Sequence, residues 1–302
     1  MLTSEAEAPD LTFRAERAAV AAALHGFCDT YLCDAPGAVG AAIRYSLLGE
    51  GKRLRAVLVS AAYTAAGGTG DISALAAAVE VVHAYSLVHD DLPCMDDDDM
   101  RRGRPTTHIV YGVSVATAAG LAMVPLAART AGSAASDLGL NGTTVGAIVR
   151  ELMGAAGGAG MIGGQLLDLE GEGQPLALAD LERIHRLKTG ALITASVRLG
   201  GLAAGASPEQ LRAFTRYGDA IGLAFQIADD VLDVTATTDQ LGKTAGRDIA
   251  LAKSTYPALL GINGAVERAE ALVEEGCTAL QSSGLLTPQL EHLARYFVKR
   301  QS

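Results

Sequence analysis

The sequence predicts an all-α protein, a single helical bundle over residues 1–302, and three observations carry that expectation. Hydrophobic residues make up 49% of the chain, yet aromatics are 4% and Trp is absent. The apolar mass is therefore Ala, Leu, Val and Ile, and the first two favour helix. Long stretches of helical periodicity run between glycine and proline breaks at Gly67 to Gly70, Gly139 to Gly142, Gly171 to Pro175 and Gly205 to Pro208. Few segments alternate strictly enough to be strands. At ordinary helix lengths these stretches make about ten helices, and the chain is long enough for one sizeable core.

Taken in order, a helix runs from near Asp71 or Ser73 to about Asp91, and Pro93 helps to end it. The apolar run from Val113 to Ala128 falls short of about 20 residues and is interrupted by Gly120 and Pro125, so no membrane span is expected. A helix from Leu181 to about Leu202 contains Lys188-Thr189-Gly190. A break near Gly190 would free backbone carbonyls there. The last marked helix begins at Ser207, with Pro208 in its first position and Gln210 placed to close a capping box, and continues to about Val234.

The formal net charge is −10. Such a surface repels nucleic acid and anionic membranes on average, and neither is an expected partner. It repels anionic substrates too, unless metal ions or clustered Lys and Arg reverse the local field. Cys28, Cys33, Cys94 and Cys277 include no CxxC pair and no zinc spacing, which fits thiols in a reducing compartment. The acidic start, Met1 to Glu7, lacks the order of a signal peptide, and a cytoplasmic location is expected.

Two aspartate clusters stand out: Asp90-Asp91-Leu92-Pro93-Cys94-Met95-Asp96 and Asp229-Asp230-Val231-Leu232-Asp233. In the second, Asp229 and Asp233 are four apart on one helix face, with Gln226, Asp229, Asp230 and Asp233 all in one sector. Carboxylates crowded on one face call for a cation, and Mg2+ is the natural one because it takes hard oxygen ligands and shares them with phosphates. In the first, Asp90 and Asp96 are six apart, so a turn at Pro93 must bring them together. Arg101-Arg102-Gly103-Arg104 follows directly, and acid beside base suits a site for metal and phosphate. His83 lies seven residues before Asp90 on the same face. Gly51-Lys52-Arg53-Leu54-Arg55 is a compact basic group able to bind a second diphosphate. Gly242-Lys243-Thr244 and Lys253-Ser254-Thr255 follow the second cluster, and the first of these lacks the surroundings of a P-loop.

These motifs, with Gly49-Glu50-Gly51-Lys52-Arg53-Leu54-Arg55, Gly163-Gly164-Gln165-Leu166-Leu167-Asp168 and Phe225-Gln226, closely resemble the trans-isoprenyl diphosphate synthases, specifically bacterial farnesyl and geranylgeranyl diphosphate synthases. The resemblance runs from about Tyr45 to the end. It implies an all-α fold around a deep central cavity, usually as a homodimer. By matching positions, Asp90, Asp96, Asp229 and Asp233 would hold about three Mg2+ ions against an allylic diphosphate. Arg101, Lys188, Lys243 and Lys253 would grip that diphosphate, and Lys52, Arg55, His83 and Arg102 would bind isopentenyl diphosphate. Carbonyls near Lys188 and Thr189, with Gln226, would stabilise the allylic cation. Tyr85 and Ser86, five and four residues before the first aspartate, would set chain length. The aromatic at Tyr85 points to the C15 product, with C20 as the alternative. Tyr85 lies about 140° from Asp90 on the helical wheel and so flanks the pocket rather than plugs it. The chain departs from the family pattern at Leu121, where an aspartate is usual, and at Ala56, where proline is common and the exchange is expected to matter little. A terpene cyclase would not need the second basic set, and a non-catalytic partner subunit would be expected to lose an aspartate motif.

Overall fold

The computed structural model describes residues 13–33, 37–235 and 254–299. Among these residues are thirteen α-helices and one two-stranded hairpin. The helices are α1 (Arg14–Tyr31), α2 (Gly37–Leu47), α3 (Leu54–Ala65) and α4 (Ser73–Asp90), then α5 (Thr107–Tyr111), α6 (Val113–Asp137), α7 (Gly142–Ala156) and α8 (Met161–Glu170). After α9 (Leu178–His185) a π-helical turn, Arg186–Gly190, leads into α10 (Ala191–Ala203). The chain ends in α11 (Pro208–Thr235), α12 (Tyr256–Gln281) and α13 (Pro288–Lys299). Strands β1 (Met100–Arg101) and β2 (Arg104–Pro105) pair antiparallel between α4 and α5. The all-α expectation is met, with thirteen helices among the described residues where about ten were expected.

Two helices are apolar over most of their circumference and lie largely inside. α4 buries Leu75 to Val82 and then Ala84, Tyr85 and Val88, among α1, α2, α3 and α6. α10 buries Leu192 to Val197 and then Leu199 to Gly201, among α3, α7 and α11. One apolar cluster gathers around α4 (Val79, Met123, Ile148) and another around α11 (Phe214, Tyr217, Leu272, Phe297). α3 and α10 feed side chains into both, which joins them into one body.

The capping box at Ser207 is present: its N–H donates to Gln210 Oε1 at 2.9 Å, and Gln210 N–H donates to Ser207 Oγ at 3.2 Å. The interruption foreseen at Gly120 and Pro125 is not. α6 runs through both for 25 residues and, with the stretch Gly142–Glu170, is long and apolar enough by length and composition to cross a membrane. A proline inside a helix frees and crowds the carbonyl four residues back, and an exposed position lets that carbonyl tilt out to water. That residue is Leu121, which is 62% exposed, so its carbonyl lies on the solvent side. The opposite face, with Ala116, Ala119, Met123 and Ala127, is buried in the α4 cluster.

Candidate active site

The end of α4 builds the first aspartate cluster. Its terminal carbonyls need donors, and the chain folds back to supply them. Asp96 N–H donates to Asp90 O at 2.8 Å, Asp98 N–H to Asp91 O at 3.3 Å, and Asp97 N–H to Leu92 O at 3.1 Å. The turn required at Pro93 therefore exists, and it sets Asp96 beside Asp90. Burial pushes the Asp90 carboxyl up to about 6, with Lys188 opposing the shift and Asp96 adding to it.

The next turn is the β1–β2 hairpin, whose central residues Arg102 and Gly103 both have positive φ (53° and 72°), as a type I′ turn requires. It sends its two arginines to different places. Arg101 Nε reaches Asp91 Oδ1 at 2.6 Å, and Arg102 Nη1 donates to Glu50 O at 2.8 Å across Gly51. A β-carbon on Gly51 would sit 2.5 Å from that Nη1, so any larger residue there would push the Arg102 guanidinium aside.

The loop before α3 is held from beneath. Arg53, at φ 50°, donates to the carbonyls of Leu47 and Gly49 at 2.7 and 2.6 Å and pairs with the buried Glu80 at 3.4 Å. Glu80 also accepts from Ala56 N–H at 3.2 Å. A proline at position 56 would have no N–H to give. The three described non-glycine residues with positive φ are Arg53, Asp97 and Arg102, and all lie in these loops.

Arg55 and His83 face each other at 3.4 Å. Burial, opposed by Glu80, pulls the Arg55 guanidinium down to about 10. Burial, then Arg55, Arg102, Arg101 and Arg53, hold His83 well below its ordinary value, so it is neutral. Arg55 Nε has no hydrogen-bond partner. This is a basic pocket short of an anion. A cavity of about 70 Å³ adjoins it, lined by Arg53, His83, Asp91, Arg101, Arg102 and Arg104 among others. Lys52 Nζ lies 5.9 Å from the Tyr296 ring.

The expected break near Gly190 is the π-turn, a feature that often marks functional sites. Lys188 Nζ is tied to Asp168 Oδ2 at 2.6 Å, and its charge acts on Asp90. Two glycines admit the turn between its neighbours. A β-carbon on Gly164 of α8 would overlap the Lys188 backbone nitrogen, and one on Gly222 of α11 would lie 2.8 Å from Gly190 Cα. On α11, Gln226, Asp229 and Asp233 follow Gly222 by four, seven and eleven residues, within about 40° of it on the helix. They therefore share the face that meets the π-turn. Asp229 and Gln226 are half-buried and Asp233 is buried.

Asp230 lies about 80° off that line, and here the single-sector expectation is corrected. Its Oδ2 accepts Tyr256 N–H at 2.9 Å and faces His185 Nε2 at 3.3 Å. His185 stacks on the Tyr256 ring, whose hydroxyl donates to Glu182 at 2.7 Å. Asp230 thus looks away, into a polar network at the back of the helix.

Tyr85 is 6% exposed and meets His89 edge-on at 5.1 Å, and His89 covers Gly120 of α6. Ser86 Oγ donates to His83 O at 2.9 Å on its own helix. Lys243 and Lys253 lie outside the described residues. Sequence reasoning gave no role to Glu80, Asp91, Asp168 or His185. A buried acid in the apolar run of α4 was a usable signal for Glu80, and an acid within the quoted motifs was one for Asp91 and Asp168.

The carboxylates are hard oxygen donors, and the ionised form of Asp90 is short of positive charge, which fits a hard dication. Among the described residues no three His, Cys, Asp or Glu side chains come close enough to enclose an ion alone. Water or phosphate oxygens would complete its shell.

Residues 37–281 match the family profile described as polyprenyl synthetase. The chain is 47% identical over 263 residues to farnesyl diphosphate synthase of Escherichia coli strain K12, covering 85% of this chain and 88% of that one. It is 44% identical over 249 residues to chloroplastic geranylgeranyl pyrophosphate synthase of Catharanthus roseus, covering 82% and 69%. The crystal structure of geranyltransferase from Helicobacter pylori, complexed with magnesium and isoprenyl diphosphate, superposes with a TM-score of 0.80 at 31% identity, over 99% of this chain and 98% of that one.

Proposed function

The chain belongs to the polyprenyl synthetase family, and from that premise we propose a magnesium-dependent prenyl diphosphate synthase that condenses isopentenyl diphosphate with dimethylallyl or geranyl diphosphate to give farnesyl diphosphate (C15). One observation carries the reading. Along α4, two polar sites of opposite need lie seven residues apart, about 10 Å by helix rise. At Asp90 a carboxylate is raised for want of cations, and at His83 an imidazole is depressed amid four arginines for want of an anion. A pair of diphosphates, one held through a dication and one held directly, satisfies both.

In this reading Asp90, Asp96, Asp229 and Asp233 hold Mg2+, about three ions, which would neutralise the allylic diphosphate as it leaves. Arg101 and Lys188, with Lys243 and Lys253, grip that diphosphate; Asp91 and Asp168 keep the first two in position. Lys52, Arg55, His83 and Arg102 bind isopentenyl diphosphate. The allylic C–O bond ionises and its electron pair leaves with the diphosphate. The π-turn carbonyls near Lys188 and Thr189, with Gln226, face the cation. The double bond of isopentenyl diphosphate attacks it, and a proton passes to the departed diphosphate. The whole chain acts as one domain in the cytoplasm, as a homodimer. Exposed Ile109, Val110, Val113 and Leu121 are apolar surface that such a pairing would cover.

The C20 reading draws support from the geranylgeranyl pyrophosphate synthase relative. The C15 reading draws support from the farnesyl diphosphate synthase relative and from the aromatic at Tyr85, whose ring meets His89 beside Gly120 of α6. The test is purified protein with Mg2+, labelled isopentenyl diphosphate, and dimethylallyl, geranyl or farnesyl diphosphate in turn. C15 as the longest main product is expected, and failure to condense with any of the three overturns the reading. Tyr85→Ala should shift products to C20 or longer by mass analysis; an unchanged product overturns the role of Tyr85.

A further inference from the structure

Gln165 on α8 is 8% exposed, and neither its Oε1 nor its Nε2 has a hydrogen-bond partner. A buried amide with both ends unmatched is destabilising, and native proteins rarely keep one without a use. Where it sits suggests the use. Met161, Gln165 and Asp168 follow at i, i+4 and i+7 and so form one stripe along α8. At one end of the stripe, Met161 packs into the apolar cluster that holds Tyr85, Val88 and Leu92. At the other end, Asp168 holds the Lys188 ammonium at 2.6 Å. Beside Gln165, Gly164 lies against the backbone of the π-turn. The amide thus lies between Met161, packed in the apolar core, and Asp168, which holds Lys188, and one residue from the glycine that meets the π-turn.

We propose that Gln165 is a further catalytic residue, whose amide oxygen solvates the allylic cation. As the C–O bond breaks, the bonding pair leaves with diphosphate and positive charge spreads over C1 and C3 of the allyl group. Gln165 Oε1 directs a fixed partial negative charge at it and forms no bond. A neutral amide suits this work better than a carboxylate, which could trap the cation as an ester. The role rests on the prenyl diphosphate synthase reading.

The test is Gln165→Met, which keeps side-chain length and removes both polar atoms. Single-turnover condensation of geranyl with isopentenyl diphosphate is followed in wild type and variant, with steady-state KM values and thermal melting alongside. The expected result is a single-turnover rate at least tenfold lower, KM for both substrates within threefold, and a melting temperature equal to or above wild type, because the unmatched amide is gone. A rate within threefold of wild type overturns the proposal. So does a rate loss that comes with a lower melting temperature and is repeated by Gln165→Leu, since the amide would then be structural. Active wild type with an equally active variant sinks this inference alone; inactive wild type sinks the parent reading with it.

Discussion

The two aspartate clusters use the same residue type in opposite ways. The second is built on one regular helix: its spacing alone aims Asp229 and Asp233, and Asp230 locks the helix from behind through His185 and the Tyr256 N–H. The first is built from a helix end, a tight turn and a hairpin, with Asp97 and Arg102 in left-handed backbone and Asp90 buried at a cost. Regular structure places carboxylates with little strain. Irregular structure places carboxylates and arginines side by side, and it stores unfavourable electrostatics that ligands then relieve. If this contrast holds, substitutions in the first cluster should trade activity for stability, whereas the back of the second should yield stability losses with the metal site intact.

The largest effect is expected from Asp90→Asn. Its carboxyl titrates near 6 rather than its ordinary 3.8, so the ionised form destabilises the metal-free fold at neutral pH, on the order of 3 kcal/mol. The sign follows from the raised value: the penalty is full above about pH 6 and disappears as pH falls toward 3.8. Metal-free protein should therefore melt higher at pH 5 than at pH 7.5 on account of this group. Asn at this position should remove that gain and raise the melting temperature at pH 7.5, while condensation falls at least about 100-fold. Calorimetry in chelator together with a product assay decides it; a variant that melts lower at pH 7.5 would contradict the stored cost.

Asp230→Ala should do the reverse. It strips partners from a buried backbone N–H and a buried imidazole, which costs about 1–3 kcal/mol and several degrees of melting temperature. The Mg2+ concentration for half-maximal activity should stay within about twofold, whereas Asp229→Ala should raise it at least tenfold. A metal dependence altered as strongly by the first change as by the second would erase the distinction between front and back of α11.

Much of this was legible because helix periodicity is local. The extents of α4 and α11, the Ser207 capping box, the alignment of His83 with Asp90 and the need for a turn at Pro93 all follow from spacing within about ten residues. The partners of these groups were not legible. Lys188 meets Asp168 across 20 positions and His185 meets Asp230 across 45, and a helical wheel says which way a side chain points but not what waits there. The same limit explains Asp230: four polar residues within one broad sector looked equivalent until a second helix divided the sector in two. Pro125 failed as a helix stop because the carbonyl it freed lay on an exposed side, a fact of tertiary placement.

The smallest effect is expected at the tip of the hairpin, and it tests whether strained loops really position the first site. Gly103 sits at φ 72° with open space around the position of a β-carbon, so Gly103→Ala meets no clash and its only penalty is left-handed backbone, about 1 kcal/mol. That penalty falls on a two-residue turn whose flanks carry Arg101 to Asp91 and Arg102 to Glu50 O. The hairpin should open more often, and the arginine with the weaker hold should move first. Arg101 has a carboxylate partner and Arg102 only a carbonyl, so isopentenyl diphosphate should feel the change before the allylic substrate. The expected outcome is a KM for isopentenyl diphosphate raised about two- to fivefold, as that penalty allows, with KM for geranyl diphosphate and kcat within about twofold. Equal weakening of both substrates would mean that the hairpin moves as a rigid unit, and the division of labour between its two arginines would have to be abandoned.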